Sequence, residues 1–191
     1  MLEFGPDARV VIVAATEAEL CGREGLVCGV GPVEAAAATA RVLARRAPAA
    51  LLHVGIGGAR RDSGLAVGQL VVGSVAIYED LVQTTGLAPT EVAPDAQLAA
   101  AVRAALPEAV AVSIGTTGRV GGTSLCPVEG MEGFAVLRAA ALAGVRAVEI
   151  RVVSNIVEDP RDSWRIDDAL AALDGALSRL LPALGEISSP S

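Results

Sequence analysis

The sequence predicts an α/β fold. One domain over residues 1–185 carries a mixed, mostly parallel central sheet flanked by helices in a three-layer sandwich, and a disordered tail follows at 186–191. Three observations predict this. Strand-like and helix-like runs alternate along the chain. The strand-like runs are apolar nearly throughout, as strands covered on both faces are. The 191 residues, 52% hydrophobic and 19% charged, suffice for a real core and show neither a linker nor an internal repeat.

The elements follow in order. Arg9 to Ala15 is a β-branched run that opens the domain, and Leu26 to Val30 is a second, short strand. Gly31-Pro32 then turns the chain into an alanine-rich helix, Val33 to Arg46. Pro32 suits its first turn, where a missing N–H costs nothing. Ala49 to Val54 is a third strand, ending in a glycine loop, Gly55-Ile56-Gly57-Gly58. Gln69 to Ile77 is a strand, Asp95 to Leu106 a helix with Pro94 before it, and Ala109 to Gly115 a strand. Glu132 to Ala143 is a helix closed by Gly144, Val145 to Ser154 a strand, and Ile166 to Leu181 the final helix.

Composition excludes several kinds of chemistry. Every basic residue is Arg, so a Schiff-base lysine and a standard P-loop are both absent. His53 is the single histidine, inside Leu51-Leu52-His53-Val54, and reads as a packed structural side chain rather than a member of a triad or a metal cluster. Cys21, Cys28 and Cys126 lack metal-site spacing and read as free thiols. In Gly29-Val30-Gly31 the third glycine of a dinucleotide fingerprint would fall at Glu34, so a nicotinamide cofactor is not expected. No cofactor and no metal are expected. The net charge of −7 disfavours nucleic acid as a partner. No uncharged apolar run reaches the roughly 18 to 20 residues that span a bilayer. The acidic N-terminus is unlike a secretory signal, and the expected location is cytoplasmic.

In open α/β sheets ligands bind beyond the carboxyl ends of strands, so the residues just after strands are the candidates. After the first strand comes Thr16-Glu17-Ala18-Glu19. A carboxylate there can be desolvated toward general-base range, although two acids in the first turn of a helix would have the same spacing. The glycines at 55, 57 and 58 would let backbone approach a ligand closely. Glu132 stands at the start of a helix, where it could orient ribose hydroxyls or serve as an ordinary first-turn acid. Glu149 and Arg151 are two apart on a strand and share a face, so burial requires them to pair; Ser154-Asn155 follows at the strand end.

At these residues the chain resembles the nucleoside phosphorylase and nucleosidase superfamily, and within it the futalosine hydrolase family. The likeness runs through Val11 to Glu19, Gly29-Val30-Gly31-Pro32-Val33, Val54 to Gly58, Gly68 to Val72, Tyr78-Glu79-Asp80, Thr116 to Thr123 and Trp164. It is most specific at Met131-Glu132-Gly133 and at Glu149-Ile150-Arg151-Val152-Val153-Ser154-Asn155. The resemblance implies hydrolysis of the N-ribosidic bond of a purine nucleoside, with a methylthioadenosine or S-adenosylhomocysteine nucleosidase, or a non-catalytic nucleoside binder, as alternatives. It implies that Glu19 activates water, that Glu132 binds the ribose 2′-hydroxyl with Met131 packed on the sugar, and that Ile56 and Gly57 lie near the sugar. Val120, Gly122 and Thr123 would contact the base. Asn155 stands where adenosine-type nucleosidases carry an Asp that protonates the purine. An amide can donate to a carbonyl but cannot act as an acid, so Asn155 suits a 6-oxopurine. The family usually has a longer stretch than Leu20 to Val27 between its acid and the Gly-x-Gly-Pro turn. The site is therefore expected to be open, or completed by a partner in a homodimer or larger assembly.

Overall fold

The computed structural model describes residues 10–45, 48–82, 86–122 and 125–187. The chain runs β1 (Val10–Ala14), β2 (Leu26–Val27), α1 (Pro32–Leu43), β3 (Ala50–Ala59), β4 (Leu70–Tyr78) and β5 (Glu91–Val92). It continues α2 (Ala96–Ala105), β6 (Val110–Thr116), β7 (Val128–Gly130), α3 (Gly133–Leu142), β8 (Arg146–Ile156) and α4 (Ile166–Ile187). Short 3₁₀ turns lie at Ala18–Leu20, Arg61–Ser63 and Arg161–Ser163.

The strands form one mixed sheet with β1, β3 and β8 side by side and parallel. β8 also pairs antiparallel with β4, β4 pairs parallel with β6, β6 with β7, and β7 returns antiparallel to β3. The pairings thus close a ring of β3, β8, β4, β6 and β7, around a small core of Ala59, Val71, Ile114, Val128 and Val153. β2 extends the sheet beyond β1, and β5 lies beyond β4.

Alternation divides the strand side chains between two helical layers. Ile12, Leu52, Val54, Val148 and Ile150 pack with α2 and α4 through Leu98, Val102, Leu173 and Leu177. Val11, Val13, Leu51 and Ala147 pack with α1 and α3 through Ala35, Phe134 and Val136. Asp95 caps α2, its Oδ1 accepting from Leu98 N at 2.8 Å.

The structure departs from the sequence expectations in four places. The Gly55 to Gly58 segment is not a loop; it is the second half of β3, paired along its length with β8. The second strand ends at Val27, and Cys28 to Gly31 forms the turn into α1. β5 and β7 were not expected; strands of two and three residues carry no readable period. α4 continues past Leu181 through Glu186 and Ile187, with Pro182 inside it; residues 188–191, most of the expected tail, lie outside the described residues.

Candidate active site

The strand ends meet at a cavity of about 310 Å³. Ala15, Thr16 and Glu19 reach it from beyond β1, Ile56, Gly57 and Gly58 from β3, Glu129 to Glu132 from β7 and the start of α3, and Arg151, Ser154 and Asn155 from β8. Its lining also includes Val30, Val120, Trp164, Ile166 and Leu170.

The two acids after β1 part company. Glu17 is exposed, whereas Glu19 is 6% exposed in the 3₁₀ turn, with Leu20 beside it in the core. Glu19 Oε1 accepts from Ile56 N at 3.1 Å, and Oε2 accepts from Thr16 N at 3.1 Å and from the Thr16 hydroxyl at 3.0 Å. Three donors therefore fix an acid that the chain turns back over β3. Gly55 is needed for this. A Cβ there would stand 2.5 Å from Glu19 Oε1 and 2.5 Å from Arg151 Nη1. The glycine makes room for protein carboxylate and guanidinium, a role different from the ligand approach that the glycine cluster suggested.

Glu132 sits at the N-cap position of α3 but makes no side-chain cap. Its Oε1 accepts from Gly31 N at 3.1 Å, and its Oε2 accepts from Arg151 Nη2 at 3.2 Å. Gly31 holds φ 93°, a conformation that favours glycine, and so aims its N–H across to α3. Cys28, at the base of the same turn, has its thiol pushed up to about 12 by burial and by the nearby Glu132 charge, and it stays protonated.

Arg151 is the hub. Its Nε donates to Glu149 Oε1 at 2.9 Å, Nη1 to Ile56 O at 3.2 Å and Nη2 to Glu132. Nη2 also lies 2.6 Å from His53 Nε2. The pairing expected of Glu149 and Arg151 is thus present, and both are fully buried. Burial opposes the Arg151 charge, but Glu149, Glu132 and Glu19 outweigh it and raise its pKa. Burial raises the Glu149 pKa against the opposing pull of Arg151. The backbone of Ile56 links the two carboxylates: its N–H holds Glu19 and its C=O holds Arg151, which holds Glu132.

The other end of the cavity is built differently. The β3–β8 register shifts between Gly57 and Gly58, leaving Ser154 as an extra residue on β8. Such a bulge re-aims side chains, and here Ser154 and Asn155 both line the cavity. The Ser154 hydroxyl lies 3.2 Å from Gly57 O and 2.9 Å from Asn155 Oδ1. The one Ser154 proton serves Gly57 O or Asn155 Oδ1, and the Asn155 NH₂ is the donor group of that side chain. Glu129, which the sequence reading missed, is 6% exposed, and its Oε1 accepts from Gly121 N at 2.7 Å. A Cβ at Gly58 would touch Asn155 Nδ2 at 3.1 Å and Glu129 Cγ at 3.4 Å, so these two side chains flank the same glycine. Trp164 closes one edge under Arg161, whose guanidinium lies 5.1 Å from its ring centre.

Of the residues named from sequence, Glu19, Glu132, Met131, Ile56, Gly57, Val120 and Asn155 converge on this cavity. Gly122 is not among its lining residues and lies against Thr117 and Arg119; Thr123 lies outside the described residues. The walls are mainly apolar, with the carboxylates of Glu19 and Glu132 at one end and the Asn155 amide beside the Glu129 carboxylate at the other. That arrangement suits a ligand with hydroxyls to donate and a developing positive charge to stabilise.

Comparison with known proteins gives the family and the fold. The sequence profile of the phosphorylase superfamily matches residues 21–184. The chain is 38% identical over 190 residues to a futalosine hydrolase of Streptomyces coelicolor, across 85% of this chain and 80% of that protein. The fold superposes on the native futalosine hydrolase of Helicobacter pylori with TM-score 0.80 at 12% identity, covering 92% and 98% of the two chains. It superposes on an S-adenosylhomocysteine nucleosidase of Streptococcus pyogenes, in complex with 5-methylthiotubericidin, with TM-score 0.79 at 22% identity, covering 97% and 99%. The chain belongs to the phosphorylase superfamily and, within it, to the family of futalosine hydrolase.

Proposed function

We propose that this protein hydrolyses the N-ribosidic bond of futalosine and releases hypoxanthine. The observation that carries the reading is the meeting of Glu19, Glu132 and Asn155, remote in sequence, around one cavity in a chain 38% identical to a futalosine hydrolase.

Glu19, held by three donors beside Ile56, is the base that takes a proton from the attacking water; such general-base assistance supplies about 10² to 10⁴ in rate. Departure of the base leaves an oxocarbenium-like ribosyl cation, which the Glu19 and Glu132 carboxylates stabilise electrostatically. Glu132 accepts from the ribose 2′-hydroxyl and Met131 packs on the sugar. Asn155 donates to O6 of the leaving hypoxanthine, and the Val120 segment borders the base. Water rather than phosphate is the nucleophile, because Arg151, the guanidinium that lines the cavity, is already engaged by Glu149, Glu132 and Ile56 O.

Among the described residues no helix is long and apolar enough to cross a membrane. Val30 and Val120, both exposed at the cavity, and the neighbouring exposed Val33 support a homo-oligomer that covers the open side.

The experiment is a chromatographic assay on futalosine, inosine and methylthioadenosine, with and without phosphate. Hypoxanthine release from futalosine in phosphate-free buffer is expected. Release that needs phosphate, or equal or faster turnover of methylthioadenosine, would overturn the reading.

A further inference from the structure

His53 is the single histidine of the chain and is completely buried. Sequence reasoning makes it core packing. Its partners say more. Nδ1 lies 3.0 Å from Val13 O of β1, and a carbonyl can only accept, so Nδ1 carries the proton. Nε2 lies 2.6 Å from Arg151 Nη2, and a guanidinium can only donate, so Nε2 presents its lone pair. The two contacts require the neutral ring in one tautomer. Burial and the adjacent Arg151 charge act in the same direction and keep the ring unprotonated.

Arg151 Nη2 has two protons. One faces Glu132 Oε2 at 3.2 Å and the other faces His53. Glu149 fixes the guanidinium at Nε and Ile56 O fixes it at Nη1. We propose that His53 is a positioning residue: by occupying one Nη2 proton with an uncharged acceptor, it sets the tilt of Arg151 and so leaves Glu132 with lone pairs directed at the ribose. The choice of imidazole has a physical reason. A carboxylate at position 53 would compete with Glu132 for the Arg151 charge. An apolar side chain would leave a buried N–H without a partner and let Arg151 turn fully onto Glu132. The inference rests on the hydrolase reading above and adds the source of Glu132's orientation.

The test compares futalosine with its 2′-deoxy counterpart. His53→Leu is expected to lower kcat/KM on the ribonucleoside by about tenfold or more, as loss of one charge-assisted hydrogen bond allows. On the 2′-deoxy compound, where Glu132 has no hydroxyl to meet, the loss is expected to be small. His53→Gln, whose amide oxygen offers an acceptor to Arg151, is expected to recover most of the selectivity. The lone imidazole also has unambiguous ¹⁵N signals. They are expected to report the Nδ1–H tautomer without titration from pH 8 to 5, and Nε2 is expected to shift when futalosine binds the Glu19→Gln protein. That arm needs only protein with the native His53, so it decides the matter if His53→Leu fails to fold. Equal loss on both nucleosides, no loss at all, or a ring that titrates near 6.5 would overturn the proposal while leaving the hydrolase reading standing. A wild-type protein that releases no hypoxanthine from futalosine would sink both.

Discussion

The two ends of the cavity are held in place by different means. At the end with Glu19 and Glu132, the charged side chains are held by partners from other parts of the chain. Glu19 is held by Ile56 and Thr16, Glu132 by Gly31 and Arg151, and Arg151 by Glu149, Ile56 and His53. At the other end, Asn155 has its neighbour Ser154, and the exposed Val120 is followed by Gly121, whose N–H rests on Glu129. The difference teaches where precision is needed. Charged groups that must meet a short-lived cation are fixed before the substrate arrives, since reorganising them during the reaction would forfeit their stabilisation. Recognition of a flat, neutral base can rest on an amide and a strip of backbone that Glu129 holds at Gly121.

Four substitutions and conditions would break or sharpen that contrast. Glu19→Gln removes the base at the tightly held end. Turnover is expected to fall by about 10² to 10⁴ with substrate affinity little changed, read from kcat and from equilibrium binding. Arg151→Met leaves Glu132 and Glu149 buried without their counter-charge. Loss of about 3–5 kcal/mol of unfolding free energy is expected in denaturant melts, with activity lost as well. Asn155→Asp changes the loosely held end. Its acid form can donate to N7 and accept from a 6-amino group, so the ratio of adenine to hypoxanthine nucleoside turnover is expected to rise by about tenfold or more, with the melting temperature little moved. A matching drop on both nucleosides would mean that Asn155 does not read the base.

The smallest effect is in pH. His53 has its pKa lowered by burial and Arg151, so the unfolded chain binds a proton that the folded chain refuses. Its stabilising contribution is complete above the unfolded value of 6.5 and is lost as pH falls below it. Glu149, raised by burial, acts in the opposite sense: the folded state takes its proton first, and stability returns as pH falls through its folded value. Comparing wild type with His53→Gln between pH 7 and 5 separates the two. The variant is expected to lack a slope of up to about 1.4 kcal/mol per pH unit.

Most of the fold was legible because its long strands are apolar on both faces and its helices start at Pro32 or just after Asp95 and stop near Gly144. The ring of strands was not. It closes through β7, three residues in a stretch without period, and its β3–β8 pairing carries the Ser154 bulge, which strict alternation cannot foresee. Pairing of Glu149 with Arg151 followed from burial alone, but their contacts with His53 and Glu132 cross from one strand or helix to another and leave no local pattern. The Gly55 to Gly58 run misled because glycine serves equally in a loop and in a strand pressed by neighbouring side chains. Glu129 had no signal at all, since a lone acid before a glycine is common on surfaces. Glu19, Glu132 and Asn155 were found through family likeness at Met131-Glu132-Gly133 and Ser154-Asn155, and only their common cavity needed coordinates.

The most direct measurement is a crystal structure of Glu19→Gln with futalosine bound. The ribose 2′-hydroxyl is expected within hydrogen-bonding distance of the Glu132 carboxylate, about 2.6–3.2 Å, with the anomeric carbon facing residue 19 and O6 of hypoxanthine on the Asn155 amide. A nucleoside bound outside this cavity, or bound with its base on Glu132 and its sugar at Asn155, would contradict the account.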